Sequence, residues 1–261
     1  MVKVKLPFRR QRFTSLTNSQ WQVIKDFVET GRKRTHSLRR ILDAIFKLNR
    51  TGCQWRNLES PFPWQTVYYY FRKWKRDGTW AAILLQLVKD ERVRQQRDPS
   101  PSACAVDSQS VKKGAMVKLD SGIDGGKLVN GRKRHLAVDC LGLPLAIFVS
   151  AANMHDGEAG VELLWQLDLV SKRLELIRGD KHYGGYFKEC AAIYKWEVET
   201  TQRPESRKGF IPERGRWQVE RSFAWFNFFR RLSRDYEKTA DSSAAFIQIS
   251  FIDIILARIS N

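Results

Sequence analysis

Ala103–Val111, ACAVDSQSV, is a short apolar run that carries an aspartate, Asp107, where it turns polar. The same form returns at Leu174–Asp180, LELIRGD, again an apolar run that stops on an aspartate. Between the two lie a Gly-rich loop (Gly122–Gly131) and Arg132–Ala152, RKRHLAVDCLGLPLAIFVSAA. The latter reads as two β runs joined by a turn near Leu141–Pro144, hence a hairpin. Glu158–Val170 and Tyr186–Tyr194 read as helices, and Trp196–Thr201 as a fifth, alternating strand. Strands interleaved with helices predict an α/β unit built on five strands. It starts behind Gln95–Ala103, QQRDPSPSA, whose prolines and serines in polar company mark the one clear linker.

Ligands in open α/β sheets gather at the carboxyl ends of strands. If the strands of Asp107 and Asp180 are neighbours, their carboxylates converge there. A third acid is available in Arg214–Arg234, RGRWQVERSFAWFNFFRRLSR, which has no proline and predicts a helix from about Arg216. On a helical period Arg216, Glu220, Ala224, Asn227 and Arg231 share one stripe, with aromatic residues around it. Glu220 alone could be a surface acid paired with Arg216, worth a few tenths of a kcal/mol. With the two aspartates it completes a trio of hard oxygen ligands. Such a set suits two Mg²⁺ ions, with Mn²⁺ able to substitute, and disfavours zinc. Two ions about 3.5–4 Å apart activate a nucleophilic oxygen and stabilise the leaving one on a phosphodiester. Arg216 could orient Glu220 or hold the scissile phosphate. Asp139 is expected to face its hairpin turn and Asp156 to cap a helix. Lys181 and His182 are expected to be exposed or backbone-bound.

The front of the chain has a different character. Residues 1–100 hold 22 Lys and Arg against 8 Asp and Glu, so most of the +18 net charge lies there. Residues 1–13 read as a basic arm. Thr17 and Gln20 form a capping box that opens a helix with Trp21, Ile24, Phe27 and Val28 inward. A charged connection, GRKRTHS (Gly31–Ser37), leads to a helix with Leu38, Ile41, Leu42, Ile45 and Phe46 inward, ending near Gly52. Trp64–Gly78, WQTVYYYFRKWKRDG, is a third helix, and Thr79 caps a fourth that runs to about Val93. Several short helices with a basic, aromatic third one suggest a helix-turn-helix-like module for double-stranded DNA. Tyr69, Arg72, Lys73, Lys75 and Arg76, with Arg32, Lys33 and Arg34 of the connection, are the candidate DNA contacts. A membrane surface or an acidic protein is the weaker partner, and a bundle with merely solvated charges is the structural alternative.

Cys53, Cys104, Cys140 and Cys190 are far apart and read as reduced core residues. No signal peptide is visible, and Ala244–Ala257, broken by Asp253, reads as a buried helix too short to span a membrane. These features predict a cytoplasmic protein without a membrane partner.

The chain resembles the bacterial insertion-sequence transposases of the DDE type, specifically the IS-five group. The resemblance is carried by LTNSQW (16–21), SLRRILDAIF (37–46), RTGCQWRNL (50–58), PFPWQTVYYYFRKWKRDGTW (61–80) and AVDSQSVK (105–112). It continues in GIDGGKLVNGRKRHLAVDCLGLPL (122–145), GDKHYGG (179–185) and RWQVERSFAWFNFFRRLSRDYE (216–237). It implies a ribonuclease H-like mixed five-stranded sheet (104–261) behind a linker (96–103) and a helical DNA-end-binding domain (1–95). It implies a triad of Asp107, Asp180 and Glu220, strand cleavage and strand transfer at terminal inverted repeats, and a homodimer or larger assembly on DNA. Around the glutamate the family pattern is Tyr, Arg, Glu and Lys; here Arg216 and Glu220 match, while Glu213 and Asn227 take the other two places. Arg230 and Arg231 are the cations available one turn on. The short connection before the glutamate helix implies no large inserted β domain. The rival readings are a nuclease that cuts without joining and a domesticated DNA-binding protein with a relic acidic trio.

Overall fold

The computed structural model describes residues 13–28, 31, 35–201 and 216–259. Arg32, Lys33 and Arg34, most of the basic arm, and Glu213 lie outside the described residues. Packing divides the chain into two compact units. One gathers the residues up to Leu87, Phe226–Ser233 and the stretch from Ala245; the other holds Val88–Trp225 and Arg234–Ala244. This grouping crosses the linear division into 1–95, 96–103 and 104–261, because the end of the chain buries its apolar side chains with the front helices.

In the first unit, α1 (Asn18–Val28) opens on the expected capping box. The Gln20 side chain accepts from the Thr17 N–H at 2.9 Å, and Thr17 Oγ1 from the Gln20 N–H at 3.2 Å. The second helix, α2 (Leu38–Thr51), ends where Gly52 turns left-handed at φ 68°. A Cβ there would also come within 3.0 Å of the Arg230 backbone, so both the turn and the close approach need glycine. Helix α3 (Trp64–Arg76) buries Val67, Phe71 and Trp74, and α4 (Thr79–Arg94) follows. The last helix of the chain, α8 (Ala240–Ile259), starts earlier and runs longer than its sequence suggested. Among the described residues it alone is long and apolar enough to cross a membrane, yet it serves as core. Phe246 stacks on Phe71 at 4.8 Å, Asn49 donates to Ser250, and Arg50 meets Asp253 at 2.6 Å.

The second unit is built on one mixed sheet in the order β2-β3-β1-β5-β6, with β4 also paired to β3. The strands are β1 (Ala103–Lys112), β2 (Gly122–Asp124), β3 (Val129–Val138), β4 (Pro144–Ala151), β5 (Leu176–Asp180) and β6 (Glu197–Thr201). The five expected strands are present, and the Gly-rich loop adds the short sixth, β2. Helices α5 (Asp156–Val170) and α6 (Tyr186–Ile193) cover one face. Cys104, Val106, Leu163, Leu164, Ile177, Phe187 and Val198 close the core there. Of the four cysteines only Cys104 is buried, and Cys140 is exposed, which corrects their reading as core residues.

The stretch from Arg216 does not form one long helix. Helix α7 (Trp217–Trp225) stops after nine residues, and short 3₁₀ turns follow at Phe226–Phe228 and Arg230–Leu232. A continuous helix would spread the aromatic side chains around its axis. The break instead buries Phe226 against Phe251 and lays the Arg50 guanidinium over Phe229.

Candidate active site

The register of β1 and β5 decides the site. The two strands run parallel, with Ala103 opposite Leu176 and Ala105 opposite Arg178. The same offset sets Asp107 level with Asp180. Asp107 lies mid-strand, not at a strand end as its sequence suggested: β1 continues to Lys112 because β3 pairs with it throughout. The neighbour on the other side, β5, stops at Asp180 and leaves that edge open. Asp107 Oδ1 accepts from the Ser108 N–H at 2.7 Å, and Asp180 Oδ1 from the His182 N–H at 2.9 Å, which caps a 3₁₀ turn. Burial pushes the Asp107 carboxyl up to about 6, and the Asp180 charge adds to that. The Ser108 N–H and the cations of Arg216 and Lys127 oppose the rise.

Arg216 is buried at the foot of α7, and it faces Asp107 rather than pairing with Glu220. Its Nη2 lies 4.0 Å from Asp107 Oδ2, and its Nη1 donates to Thr201 Oγ1 at 3.2 Å. Thr201 stands opposite Asp180 in the β5–β6 register. The guanidinium therefore reaches from β1 to β6, past the strand that carries Asp180. The helix is held by its other side: Arg221 donates to Leu141 O and Ser222 Oγ to Gly142 O, at the tip of the β3–β4 hairpin. Gly142 has φ 74°, and a Cβ there would stand 2.9 Å from Ser222 Oγ. Glu220 is exposed one turn after Arg216. Among the described residues no three His, Cys, Asp or Glu side chains stand close enough to hold a metal ion, so Glu220 is not gathered with the two aspartates here.

Behind Asp107, on the opposite face of the sheet, lies a polar network that sequence reasoning missed. Lys133 Nζ meets Asp156 Oδ1 at 2.9 Å and Asp124 at 3.9 Å, and donates to Met154 O. Asp124 accepts from Ser110 Oγ and from the N–H groups of Gly126 and Lys127. The cap of α5 is His155, and Asp156 is instead an ion-pair partner. The signal was present in RKRH (132–135), a charged run inside a β segment flanked by apolar residues. Asp139 does face its turn, accepting from Leu141 and Leu143, and it also forms a buried ion pair with Arg92.

His135 is fully buried against Ser150, and burial lowers it to about 4. Between about pH 6.5 and 4 the unfolded chain takes up this proton and the folded one does not. The contribution is complete above pH 6.5 and is lost as pH falls through that window, at up to about 1.4 kcal/mol per pH unit. Urea midpoints should therefore fall more steeply for the parent than for His135→Gln between pH 7 and 4.5. Parallel slopes would contradict the buried neutral imidazole.

On α3, Tyr69 is 60% exposed, and Arg72 and Arg76 also face solvent. Lys75 is half-buried, and Lys73 is tied to Asp77 at 3.3 Å. Arg231 is buried, donates to Cys53 O and covers the Phe246 ring, which leaves Arg230 as the exposed cation of that pair.

Residues 16–84 match a family described as transposases of the IS4/5 family, and residues 98–252 match the transposase DDE domain. A protein of Burkholderia cepacia named as a transposase for insertion sequence element IS402 is 27% identical over 129 residues. The match covers 46% of this chain and 60% of that relative. The DDE match takes in the whole sheet, whose mixed order is that of a ribonuclease H-like fold. With more than half of its length inside that domain, the chain belongs to the DDE transposases of insertion sequences.

Proposed function

We propose that this protein cuts and joins DNA at the terminal inverted repeats of its own mobile element. Asp107, Asp180 and Glu220 would hold the metal, and Arg216 acts on the scissile phosphate. The observation that carries this is the offset that sets Asp107 and Asp180 level on neighbouring strands, with the Arg216 guanidinium beside Asp107. The aspartate pair fits a hard cation: its oxygens are the donors Mg²⁺ takes, and the burial and Asp180 charge that push the Asp107 carboxyl up are what a bound cation would offset. Glu220, exposed one helical turn from Arg216, is the third acid of that set. Two bound Mg²⁺ or Mn²⁺ ions would supply activation of a water or 3′ hydroxyl and stabilisation of the leaving oxygen. Arg216 neutralises charge that develops on the phosphate, and the Ser108 and His182 N–H groups hold the two aspartates in place. The first unit binds double-stranded DNA through α3, and cutting two ends in concert needs a homodimer or a larger assembly in the cytoplasm.

Duplexes carrying the DNA that flanks the gene test this directly. With Mg²⁺ the full chain should cut at one fixed position and join the freed 3′ end to target DNA. Uncut duplex in both Mg²⁺ and Mn²⁺ would overturn the reading. Replacing Arg72, Lys73 and Arg76 together by Ala should weaken end binding and flatten its salt dependence. Each phosphate that is no longer neutralised removes about 0.9 from the slope of log K against log salt. An unchanged slope would take α3 away from the DNA.

A further inference from the structure

Asp107 and Asp180 are held through the backbone N–H groups of Ser108 and His182. Neither N–H can fix a carboxylate more firmly than its own segment is fixed, and two like charges set level push those segments apart. What fixes both segments lies on the other face of the sheet. Side chains alternate along a strand, so Ser108 and Ser110 leave β1 on the face away from Asp107. The register with β3 sets His135 opposite Ser108 and Lys133 opposite Ser110. Helix α5 begins at this spot, where Lys133 Nζ meets Asp156 Oδ1 at 2.9 Å with both side chains largely buried. Burial disfavours the Asp156 carboxylate, yet Lys133 and the Ser108 hydroxyl hold it below the usual carboxylate range.

The turn after Asp180 is gripped from the same side. The fully buried Tyr183 ring fills the space that two glycines leave between α5 and β5. A Cβ at Gly160 would stand 2.8 Å from its Cε1, and one at Gly179 would stand 2.8 Å from its Cβ. The phenol lies beside the Ser108 hydroxyl, within the fields of Asp107, Asp156 and Asp180. We infer that the Lys133–Asp156 ion pair, with Ser108 and Tyr183, is the positioning device of the metal site. It ties the residue next to Asp107 and the turn after Asp180 to one point at the start of α5, and so sets the separation of the two carboxylates. These side chains act through the aspartates, from the far face of the sheet. A buried ion pair is weak evidence for stability, since apolar residues of similar volume often serve folding as well. Its directional contacts fix position, and loss of such outer partners typically costs about 10–100-fold in metal affinity or activity. The inference rests on the proposed metal-dependent cleavage, and it deepens that reading by naming what holds the shape of the site.

The test replaces the pair by matched apolar residues, Lys133→Met with Asp156→Leu, in the full chain. Mn²⁺ binding, followed by loss of the free-ion EPR signal, should weaken about 10–100-fold, while the melting temperature without metal stays near the parent's. Ser108→Ala with Tyr183→Phe removes two hydroxyls, keeps the ring between its glycines, and should weaken Mn²⁺ binding about tenfold. On duplexes of the flanking DNA, the Mn²⁺ concentration for half-maximal cutting should rise by the same factors, and end binding should stay at the parent's level. If the ion-pair variant does not fold, the hydroxyl variant decides. If the parent cuts and the folded variants match it in Mn²⁺ affinity and metal dependence, this inference alone falls. If the parent neither cuts duplex nor takes up Mn²⁺, the cleavage reading falls and takes the inference with it.

Discussion

Asp107→Asn, Asp180→Asn and Glu220→Gln should each lower cleavage and joining by about three orders of magnitude or more, the rate equivalent of about 4 kcal/mol of lost transition-state stabilisation. Each change keeps the shape of the side chain and removes the charge that would hold a divalent ion. DNA binding should be unchanged or slightly tighter, since an anion near phosphate is gone. Stability separates this role from a structural one. Burial and the Asp180 charge disfavour the Asp107 carboxylate, so Asp107→Asn should raise the melting temperature at neutral pH. Glu220 is exposed, and Glu220→Gln should leave the melting temperature where it was. Asp107→Cys or Asp180→Cys tests contact with the ion: a thiolate serves Mg²⁺ poorly and Mn²⁺ better, so activity should return in part with Mn²⁺. Near-parental cutting in Mg²⁺ by all three charge-neutral variants would sink the assignment.

Arg216→Met should slow cleavage by about two to three orders of magnitude, the range measured when one donor to developing negative charge is removed. Methionine preserves the apolar stem in the space beside β1 and removes the guanidinium that reaches Asp107 and Thr201. Arg216→Lys should recover only part of the rate, because a single ammonium does not span the distance between those two partners as a planar fork does. If Arg216 served only to balance the Asp107 charge, Arg216→Met would shift the melting temperature and spare the single-turnover rate. Single-turnover cleavage and thermal unfolding on the same preparations distinguish the two outcomes.

What could be read from the sequence was what local chemistry controls. The Thr17–Gln20 capping box, the glycine end of α2, the inward stripe of α3 and the hairpin across Leu141–Pro144 depend on residues within a few positions of one another. The alternation of strands and helices behind the linker was legible for the same reason, and it brought Asp107 and Asp180 forward as candidates. What only the tertiary structure decided depends on partners distant in the chain. The β1–β5 register, set by residues some seventy positions apart, made the two aspartates level and placed Asp107 mid-strand. Arg216 shares a helical stripe with Glu220, and local spacing favoured that pair. The partners it meets, Asp107 and Thr201, lie on strands that a helical period cannot see. The aromatic run after Trp225 had an uninterrupted helical pattern, and burial of Phe226 and Phe229 among the first unit's residues broke it. Asp156 was expected to cap a helix and Lys133 had no assigned role, because the burial that makes them an internal ion pair arises only when the sheet and α5 close over them. Local propensity determined which elements form, and long-range packing determined which side chains meet.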